Sequence, residues 1–279
     1  MPFVSQQANF SYNRAFIFGE ILQKPKGFTL ISKKILSAVG RTNAEYGLIR
    51  EGDRVLLGLS GGKDSMLLAT ILKRMQSHAP FKFDFKAITI DYGRGGEYEY
   101  IIDYCAKHEI PYELYRTKIF EALEEKKRPN SSYCSFCSRM RRGALYSKAL
   151  EGGFNKIALA HHLDDAAESF VMNFSYNGAL RSMPPIYRAG NGLFVIRPLI
   201  FVRERQIIDF IKSNEIYIAP DCNCPINWLP SDKKPFARES AKAMLREIEA
   251  QNKDFFISLK KAFCNIHAGS FCDKEFLEV

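Results

Sequence analysis

Hydrophobic residues along this chain occur in two arrangements: short continuous runs, and longer stretches in which apolar positions recur every three or four residues. The short runs predict buried strands, and the longer stretches predict helices with one face turned to a core. The predicted strands are 55–59, 85–90, 112–116, 156–160 and 194–199. The predicted helices begin at Thr29 and then cover 65–76, a segment ending near Lys107, 137–150, 164–177 and 203–213. Strands that alternate with helices predict an α/β fold in which a parallel sheet is covered by helices on both faces.

This order of elements also suggests how the chain is divided. We expect an N-terminal arm over 1–28, a central α/β domain over 29–215 and a lysine-rich helical C-terminal region over 216–279. Ligands of parallel sheets bind beyond the carboxyl ends of the strands. The loops 60–65, 91–96 and 161–165 should therefore converge on one site.

The first of these loops has the composition of an anion-binding site. It contains two glycines, two hydroxyl residues, a lysine and an aspartate, in the order Ser60, Gly61, Gly62, Lys63, Asp64 and Ser65. Glycines let the backbone turn sharply and approach an anion, and the following helix begins with unpaired N–H groups. The spacing differs from that of a Walker A loop, G-x-x-x-x-G-K-[ST]. This segment, the phosphate loop, predicts a phosphate-binding site.

A second polar loop follows the strand predicted at 156–160. We call it the His-Asp loop, and it consists of His161, His162, Leu163, Asp164 and Asp165. Adjacent carboxylates beside phosphate oxygens repel them unless a cation such as Mg²⁺ lies between. Taken alone, the two aspartates are more simply explained as a helix cap and a solvated neighbour. Beside the phosphate loop, the Mg²⁺ interpretation is preferred.

The seven cysteines are unevenly placed. Cys134 and Cys137 form a C-x-x-C pair whose thiolates can reach one metal, and nearby arginines can hold phosphate or keep the thiols ionised. Cys222 and Cys224 are further candidates: four thiols would suit a structural zinc, whereas three would leave one iron of a cluster open. The remaining cysteines are interpreted as buried or surface thiols; they are Cys105, Cys264 and Cys272.

The net charge of the chain and the composition of its segments indicate which binding partners and which compartment to expect. With 40 Lys and Arg against 31 Asp and Glu, the formal charge is +9, which suits a polyanion although a merely basic enzyme has the same balance. The N-terminal segment resembles no secretory signal, and no stretch approaches the ~20 apolar residues that span a bilayer. We therefore expect a cytoplasmic protein with thiols rather than disulfides and no membrane contact. Candidate RNA contacts are Lys126, Lys127, Arg128, Arg139, Arg141, Arg142, Lys233 and Lys234.

The phosphate loop resembles the SGGxDS signature of the PP-loop ATP pyrophosphatases, which cleave ATP between its α and β phosphates. Several further motifs, spread from about residue 33 to 224, resemble the tRNA 2-thiocytidine synthetase family. They are YGLI at 46–49, EGDR at 51–54, CSFCSRMRRG at 134–143, the His-Asp loop, RPL at 197–199 and VRE at 202–204.

The resemblance implies a particular assignment of residues. It makes 29–215 an ATP-binding catalytic domain of the adenine nucleotide alpha hydrolase type, with the phosphate loop, Arg142 and His161 holding ATP. It implies catalytic roles for Lys63, Asp64, Asp164 and Asp165, with Mg²⁺ near the aspartates. It also implies a 4Fe-4S cluster on Cys134, Cys137 and Cys224. The family has C-x-x-C at the later site where this chain has C-x-C, so Cys222 remains the alternative third ligand.

The reaction implied is thiolation of a tRNA cytidine. Its C2 oxygen attacks ATP, pyrophosphate leaves, and sulfide then replaces the oxygen and expels AMP. Because C2 lies within a stacked base, we expect the nucleotide to be splayed out of its loop. The resemblance also implies a sulfur donor such as a cysteine desulfurase. It further implies a homodimer, although the sequence shows no apolar stripe that would indicate an interface.

Three alternatives remain open. A lysidine synthetase type of enzyme shares both loops but has no use for the C-x-x-C pair. A thiouridine-forming relative begins with a zinc-binding cysteine array, whereas residues 1–104 contain no cysteine. A zinc-stabilised RNA-binding module without catalysis would be colourless and would release no pyrophosphate.

Overall fold

The computed structural model describes residues 30–93, 95–125, 133–220, 236–272 and 274–276. The strands in these ranges are β1 (Arg54–Gly58), β2 (Asp84–Asp91), β3 (Tyr112–Arg116), β4 (Lys156–Ala158), β5 (Ile186–Arg188) and β6 (Phe194–Ile196). The helices are α1 (Lys33–Tyr46), α2 (Lys63–His78), α3 (Glu99–Lys107), α4 (Ile119–Glu125), α5 (Tyr133–Glu151), α6 (Leu163–Tyr176), α7 (Glu204–Ser213), α8 (Phe236–Gln251) and α9 (Phe255–Phe263). The arm expected over 1–28 lies outside the described residues.

The strands form one sheet in the order β3-β2-β1-β4-β6-β5. All neighbours are parallel except β5, which pairs antiparallel with β6 at the edge. The predicted α/β sheet is confirmed. The sequence did not reveal β5, because this edge strand, Ile-Tyr-Arg, is only partly buried and forms no apolar run, whereas β4 and β6, equally short, lie within apolar runs.

Helices cover both faces of this sheet, and the alternation of side chains along β1 shows why. Val55 and Leu57 join a core with α1, α2, α3 and α7, whereas Leu56 faces the other core, to which α5 contributes Leu145 and Ala149. Each such side chain, fully removed from water, contributes about 1.5–3 kcal/mol. Burial on both faces explains why the strand sequences are continuous apolar runs.

A buried ion pair fixes β1 against β4. Asp53, just before β1, lies 2.7 Å from the ammonium of Lys156, which begins β4. The Asn155 side chain also donates to Asp53 (2.8 Å), and Lys156 donates to the Leu48 carbonyl (2.8 Å). Because these bonds hold the amino ends of two adjacent strands, the loops at their carboxyl ends are also held side by side.

Those two loops are the phosphate loop, after β1, and the His-Asp loop, after β4. The chain passes from β1 to β2 and β3 on one side and later to β4 and β6 on the other, so the strand order reverses between β1 and β4. Open α/β sheets bind ligands in the crevice at such a point. The fold therefore brings both loops to the position where a ligand is expected.

The C-terminal helices pack against this part of the sheet. Leu163 and Ala167 of α6 form a small core with Leu245 of α8 and Phe256 of α9. This contact brings the polar face of α8 close to the His-Asp loop. None of the helices described here has the length and apolar character needed to cross a membrane.

Candidate functional site

The phosphate loop is held by its own hydroxyls. The Ser60 and Ser65 oxygens lie 3.2 Å apart, Ser65 donates to the Gly62 carbonyl (2.9 Å), and the Gly62 amide donates to Ser60 (3.4 Å). Gly62 is the N-cap of α2, and no described side chain caps that terminus. The first-turn N–H groups of α2 are therefore suited to an anion.

Position 61 requires glycine because of its backbone conformation and the side chains around it. Its φ is +81°, and a Cβ there would overlap the hydroxyl of Tyr100 and lie 2.6 Å from Cδ1 of Ile101. The Tyr100 hydroxyl donates to the Gly61 carbonyl (3.2 Å), so α3 supports the loop from behind. Only glycine fits both the conformation and the space.

The His-Asp loop is organised by His162, which is the N-cap of α6. Its Nδ1 accepts from the Asp165 amide (3.4 Å), and its own amide donates to the Asp165 carboxylate (3.0 Å). This reciprocal capping satisfies two backbone donors and fixes the direction of both side chains. Because Nδ1 accepts, the proton of the neutral imidazole lies on Nε2.

The two loops meet through this imidazole. His162 Nε2 lies 3.6 Å from Oδ1 of Asp64 and 3.4 Å from Oδ2 of Asp165. Asp64 Oδ1 is buried and has no hydrogen-bond partner among the described residues. Burial raises the pKa of Asp64, against the attraction of Lys63. A buried, unpartnered carboxylate oxygen next to a second carboxylate is suited to a hard cation such as Mg²⁺.

Lys63 and Glu204 form an ion pair next to Asp64. The Lys63 ammonium lies 3.1 Å from both Asp64 and Glu204, and Glu204 also contacts Lys242 of α8 (3.1 Å). Burial alone would lower the pKa of Lys63, but the two carboxylates outweigh burial and raise it. Burial opposes ionisation of Glu204, yet the two lysines lower its pKa to about 2. Lys63 is therefore a fixed cation at the start of α2.

Asp164 is held away from solvent by arginine. Arg203 makes a fork to both of its oxygens at 3.1–3.2 Å, and the Glu204 amide donates to it at 2.7 Å. Arg203 also donates to Glu249 of α8 (2.8 and 3.0 Å) and lies over the Phe256 ring, 3.3 Å from its centroid. With both oxygens occupied by protein donors, Asp164 orients the loop more than it offers a free ligand.

Asp165 has an arginine partner from α8 as well. Arg238 donates to Asp165 and, at 2.7 Å, to the buried Glu168. Burial would raise the pKa of Asp165, but His162 and Arg238 outweigh it and lower the pKa. Asp165 is therefore ionised at neutral pH.

Helix α8 contributes three charged side chains to the site, and this role was not predicted from the sequence. Arg238, Lys242 and Glu249 contact Asp165, Glu204 and Arg203 respectively. Their intervals of four and seven residues place them on one helix face, which is the signal that could have drawn attention to them. A charge at such an interval usually marks a solvated face, so the spacing alone did not identify partners.

His161 lies beside Arg197, the residue that follows β6. Arg197 donates from Nε to His161 Nδ1 (3.3 Å), and burial, with the positive charge of Arg197, lowers the pKa of His161 to about 4. Arg142 of α5 is exposed and contributes positive charge near Arg197. The roles predicted for His161 and Arg142 in binding ATP stay predictions.

The described part of the cysteine pair lies on α5. Cys137 is buried in the same apolar cluster as Ile90 and Tyr92, at the carboxyl end of β2, and Arg141, one turn later, donates to the Tyr92 hydroxyl (3.2 Å). This end of α5 is thus at the same sheet edge as both loops. The Cys134 side chain, Cys222 and Cys224 lie outside the described residues, as do 126–132 and Lys233 and Lys234.

Among the groups that the structure describes, no cluster of three His, Cys, Asp or Glu side chains forms a metal site. The predicted third ligand therefore stays a prediction. Of the other cysteines, Cys105 is buried, which raises its pKa to about 12, and Cys264 and Cys272 are exposed.

Comparison with known proteins gives the same fold and a specific set of relatives. The PP-loop domain model matches residues 31–224. A tRNA-cytidine(32) 2-sulfurtransferase of Geobacter metallireducens is 39% identical over 88% of this chain and 95% of its own, and that of Geobacter sulfurreducens is 40% identical over 87% and 93%. The enzyme of the same name from Legionella pneumophila is 35% identical over 88% of this chain and 86% of its own.

Among solved structures, the U34-tRNA thiolase NcsA from Methanococcus maripaludis, determined with its [4Fe-4S] cluster, superposes with a TM-score of 0.66. The match covers 85% of this chain and 80% of that one at 20% sequence identity. At this identity the likeness establishes the shared fold.

Proposed function

We propose that this protein is an ATP-dependent tRNA thiolase, because the chain belongs to the PP-loop family and, within it, to the family of tRNA-cytidine(32) 2-sulfurtransferases. Its substrate in this proposal is a cytidine of tRNA, whose C2 oxygen is replaced by sulfur. The observation that carries the proposal is the contact of His162 with both Asp64 and Asp165, at the sheet edge where α5 holds Cys137.

ATP is proposed to bind with its phosphates at the start of α2. Gly61 and Gly62 allow the approach, and the α2 N–H groups and Lys63 offset negative charge. The hydroxyls of Ser60 and Ser65, which bond within the loop, would exchange those bonds for phosphate oxygens. Mg²⁺ would be held by Asp64, because its unpartnered oxygen fits a hard cation, and the ionised Asp165 would add negative charge beside it. When bound, Mg²⁺ supplies positive charge that makes pyrophosphate a better leaving group.

The reaction is proposed in two balanced steps. The C2 oxygen of the cytidine attacks the α-phosphorus of ATP, a P–O bond forms, and the bond to pyrophosphate breaks. A sulfide then forms a bond to C2 while the C2–O bond breaks, and AMP leaves with the original oxygen. Adenylation is needed because oxygen bound directly to C2 is a poor leaving group.

The sulfide would come through an iron-sulfur cluster. Cys134 and Cys137 form a C-x-x-C pair in α5, a spacing that lets two thiolates reach one metal site, and thiolates are the ligands that such clusters take. Cys224 is the proposed third ligand, with Cys222 as the alternative. When bound, the cluster supplies the sulfur that replaces oxygen. A separate sulfur donor such as a cysteine desulfurase must then renew it.

Three further features belong to this proposal. We place the reaction in the cytoplasm, where ATP and tRNA are present. We retain the division into an arm (1–28), a catalytic domain (29–215) and a C-terminal region (216–279) that contributes a cluster cysteine. A homodimer is the proposed assembly, and sedimentation of the purified protein tests it.

The proposal is tested with anaerobically purified protein, transcribed tRNA and ATP labelled at the α-phosphate. We expect AMP and pyrophosphate release that requires tRNA, and iron content that is lost in Cys134→Ser and Cys137→Ser. Cys264→Ser is the matched control because that thiol is exposed and lies outside the proposed ligand set. A colourless zinc protein without tRNA-dependent pyrophosphate release would contradict the proposal and favour the RNA-binding module.

The third ligand is tested by the same measurement of iron. Cys224→Ser should lose iron and Cys222→Ser should retain it. The reverse result would assign the ligand to Cys222.

A further inference from the structure

A second cationic cluster lies two strands away from the phosphate loop. Arg197, which follows β6, is buried with 7% of its surface exposed. Its Nη1 donates to the Pro184 carbonyl (2.7 Å), and its guanidinium lies over the Tyr187 ring, 5.1 Å from the centroid. These contacts, together with the bond to His161, hold the guanidinium in one orientation.

The charge of this cluster is not balanced by the described part of the protein. Arg203 and Arg238 each contact two carboxylates, whereas neither Arg197 nor Arg142 lies within ion-pair distance of a described Asp or Glu. Burial lowers the pKa of Arg197, and the positive charge of Arg142 lowers it further. A buried cation without a counter-ion is costly, so the cluster is suited to an anion from outside the chain.

His161 adds a neutral donor to the same cluster. Because its Nδ1 accepts from Arg197, its proton lies on Nε2, and it does not titrate near neutral pH. The hydroxyls of Tyr146 and Tyr187 lie 3.3 Å apart, and the ring of Tyr187 packs against the guanidinium. Two guanidinium groups with an imidazole N–H and phenol hydroxyls are the donors that phosphate oxygens accept.

We propose that Arg142, Arg197 and His161 form a binding site for a backbone phosphodiester of the RNA substrate. This inference rests on the proposed function. In the sheet order β1-β4-β6, Arg197 follows a strand two positions from the one that leads into the phosphate loop, an offset of about 10 Å. We here reassign Arg142 and His161, which the resemblance gives to ATP, to a different phosphate, because the ATP phosphates already have Lys63 and the α2 terminus.

The arrangement has a direct consequence for how the base is presented. A nucleotide anchored by its backbone at Arg197 would lie about 10 Å from the phosphate loop, close enough for its splayed base to reach the crevice between β1 and β4. Phosphate contacts position a nucleic acid without reading its sequence. The site would thus fix the splayed cytidine for attack on ATP.

The test compares tRNA affinity and ATP use in Arg142→Ala, Arg197→Lys and a control. Arg54→Ala is the matched control, because it removes the same charge from the start of β1, at the opposite edge of the sheet. Titration of tRNA by fluorescence anisotropy over a range of salt concentrations should show an affinity loss of about 10-fold for Arg142→Ala. The slope of log affinity against log salt should fall by about 0.7–0.9 for the lost contact.

Arg197→Lys retains the charge but loses the planar guanidinium with its several fixed N–H donors. The affinity of this variant for tRNA should therefore fall, while its slope of log affinity against log salt should be nearly unchanged. The KM for ATP should stay within about two-fold of the wild-type value in both variants. Equal tRNA affinities in Arg142→Ala and Arg54→Ala, or a rise in KM for ATP alone, would overturn the site. Pyrophosphate release that still requires tRNA would then leave the proposed function intact, whereas a wild-type protein that does not bind tRNA would contradict both.

Discussion

Replacing Arg203 by methionine tests whether the His-Asp loop depends on a buried ion pair. The Arg203 and Asp164 side chains are 13% and 14% exposed, and three contacts of 3.1–3.2 Å join them. Leaving a buried carboxylate without its partner costs about 3–5 kcal/mol. The Glu204 amide still donates to Asp164 (2.7 Å), which should reduce the loss to about 2–4 kcal/mol.

The loss is measured by urea unfolding of Arg203→Met at constant pH, followed by circular dichroism. A loss of this size should lower the melting temperature by about 5–12 °C. The double variant Arg203→Met with Asp164→Asn removes the stranded charge while an amide oxygen still accepts from Glu204. It should therefore recover at least about 1 kcal/mol relative to Arg203→Met.

Two results would refute this reasoning. A loss below about 1 kcal/mol in Arg203→Met would mean that the pair behaves as an exposed surface bridge. Strict additivity of the two substitutions, within about 0.5 kcal/mol, would mean that Arg203 and Asp164 are not energetically coupled. Glu249→Gln is the control, since it removes only the second partner of Arg203.

Three further predictions concern the phosphate loop and its charges. Gly61→Ala should reduce tRNA-dependent AMP formation at least about 100-fold, because the methyl group overlaps the Tyr100 hydroxyl and disfavours φ +81°; an unchanged rate would contradict the fit described. Asp64→Asn should raise the Mg²⁺ concentration needed for half-maximal pyrophosphate release at least about 10-fold, and equal Mg²⁺ dependence would remove Asp64 from the metal site. Because the pKa of Glu204 is lowered from 4.5 to about 2, its stabilising contribution is present above pH 4.5 and is lost as the pH falls toward 2. The free energy of unfolding of Glu204→Gln should therefore decline less steeply than that of the wild type over this range. Parallel declines in the two proteins would contradict the pairing of Glu204 with Lys63.

The elements that the sequence predicted best are those whose signal is local. The run beginning at Val55 is apolar because β1 is buried on both faces, so the strand could be placed within one residue. Helix α2 begins at Lys63 rather than at Ser65, since apolar periodicity does not register the polar first turn. The phosphate loop was predictable because its glycines and hydroxyls act on their own backbone.

The parts that could not be predicted depend on partners distant in sequence. Arg238 contacts Asp165 across 73 residues, and Arg203 contacts Glu249 across 46. Which arginine pairs with which aspartate is decided by the packing of α8 on α6, and no local pattern encodes that choice. The same holds for Arg197 and His161, whose strands become neighbours only in the sheet.

Asp64 and Asp164 differ in their hydrogen bonding and therefore in whether they can bind a cation. Asp64 has an oxygen available to a cation, whereas both oxygens of Asp164 are occupied by Arg203 and a backbone amide. Both oxygens of Asp165 are likewise occupied, by the His162 amide and by Arg238, so the two loops contribute aspartates that differ in what they can bind.

Mass spectrometry of tRNA nucleosides from cells that lack this gene shows whether the protein forms 2-thiocytidine. Complementation with the wild-type chain and with Cys264→Ser should restore 2-thiocytidine, and complementation with Cys137→Ser should not. An unchanged level of 2-thiocytidine in cells without the gene would contradict the proposed reaction.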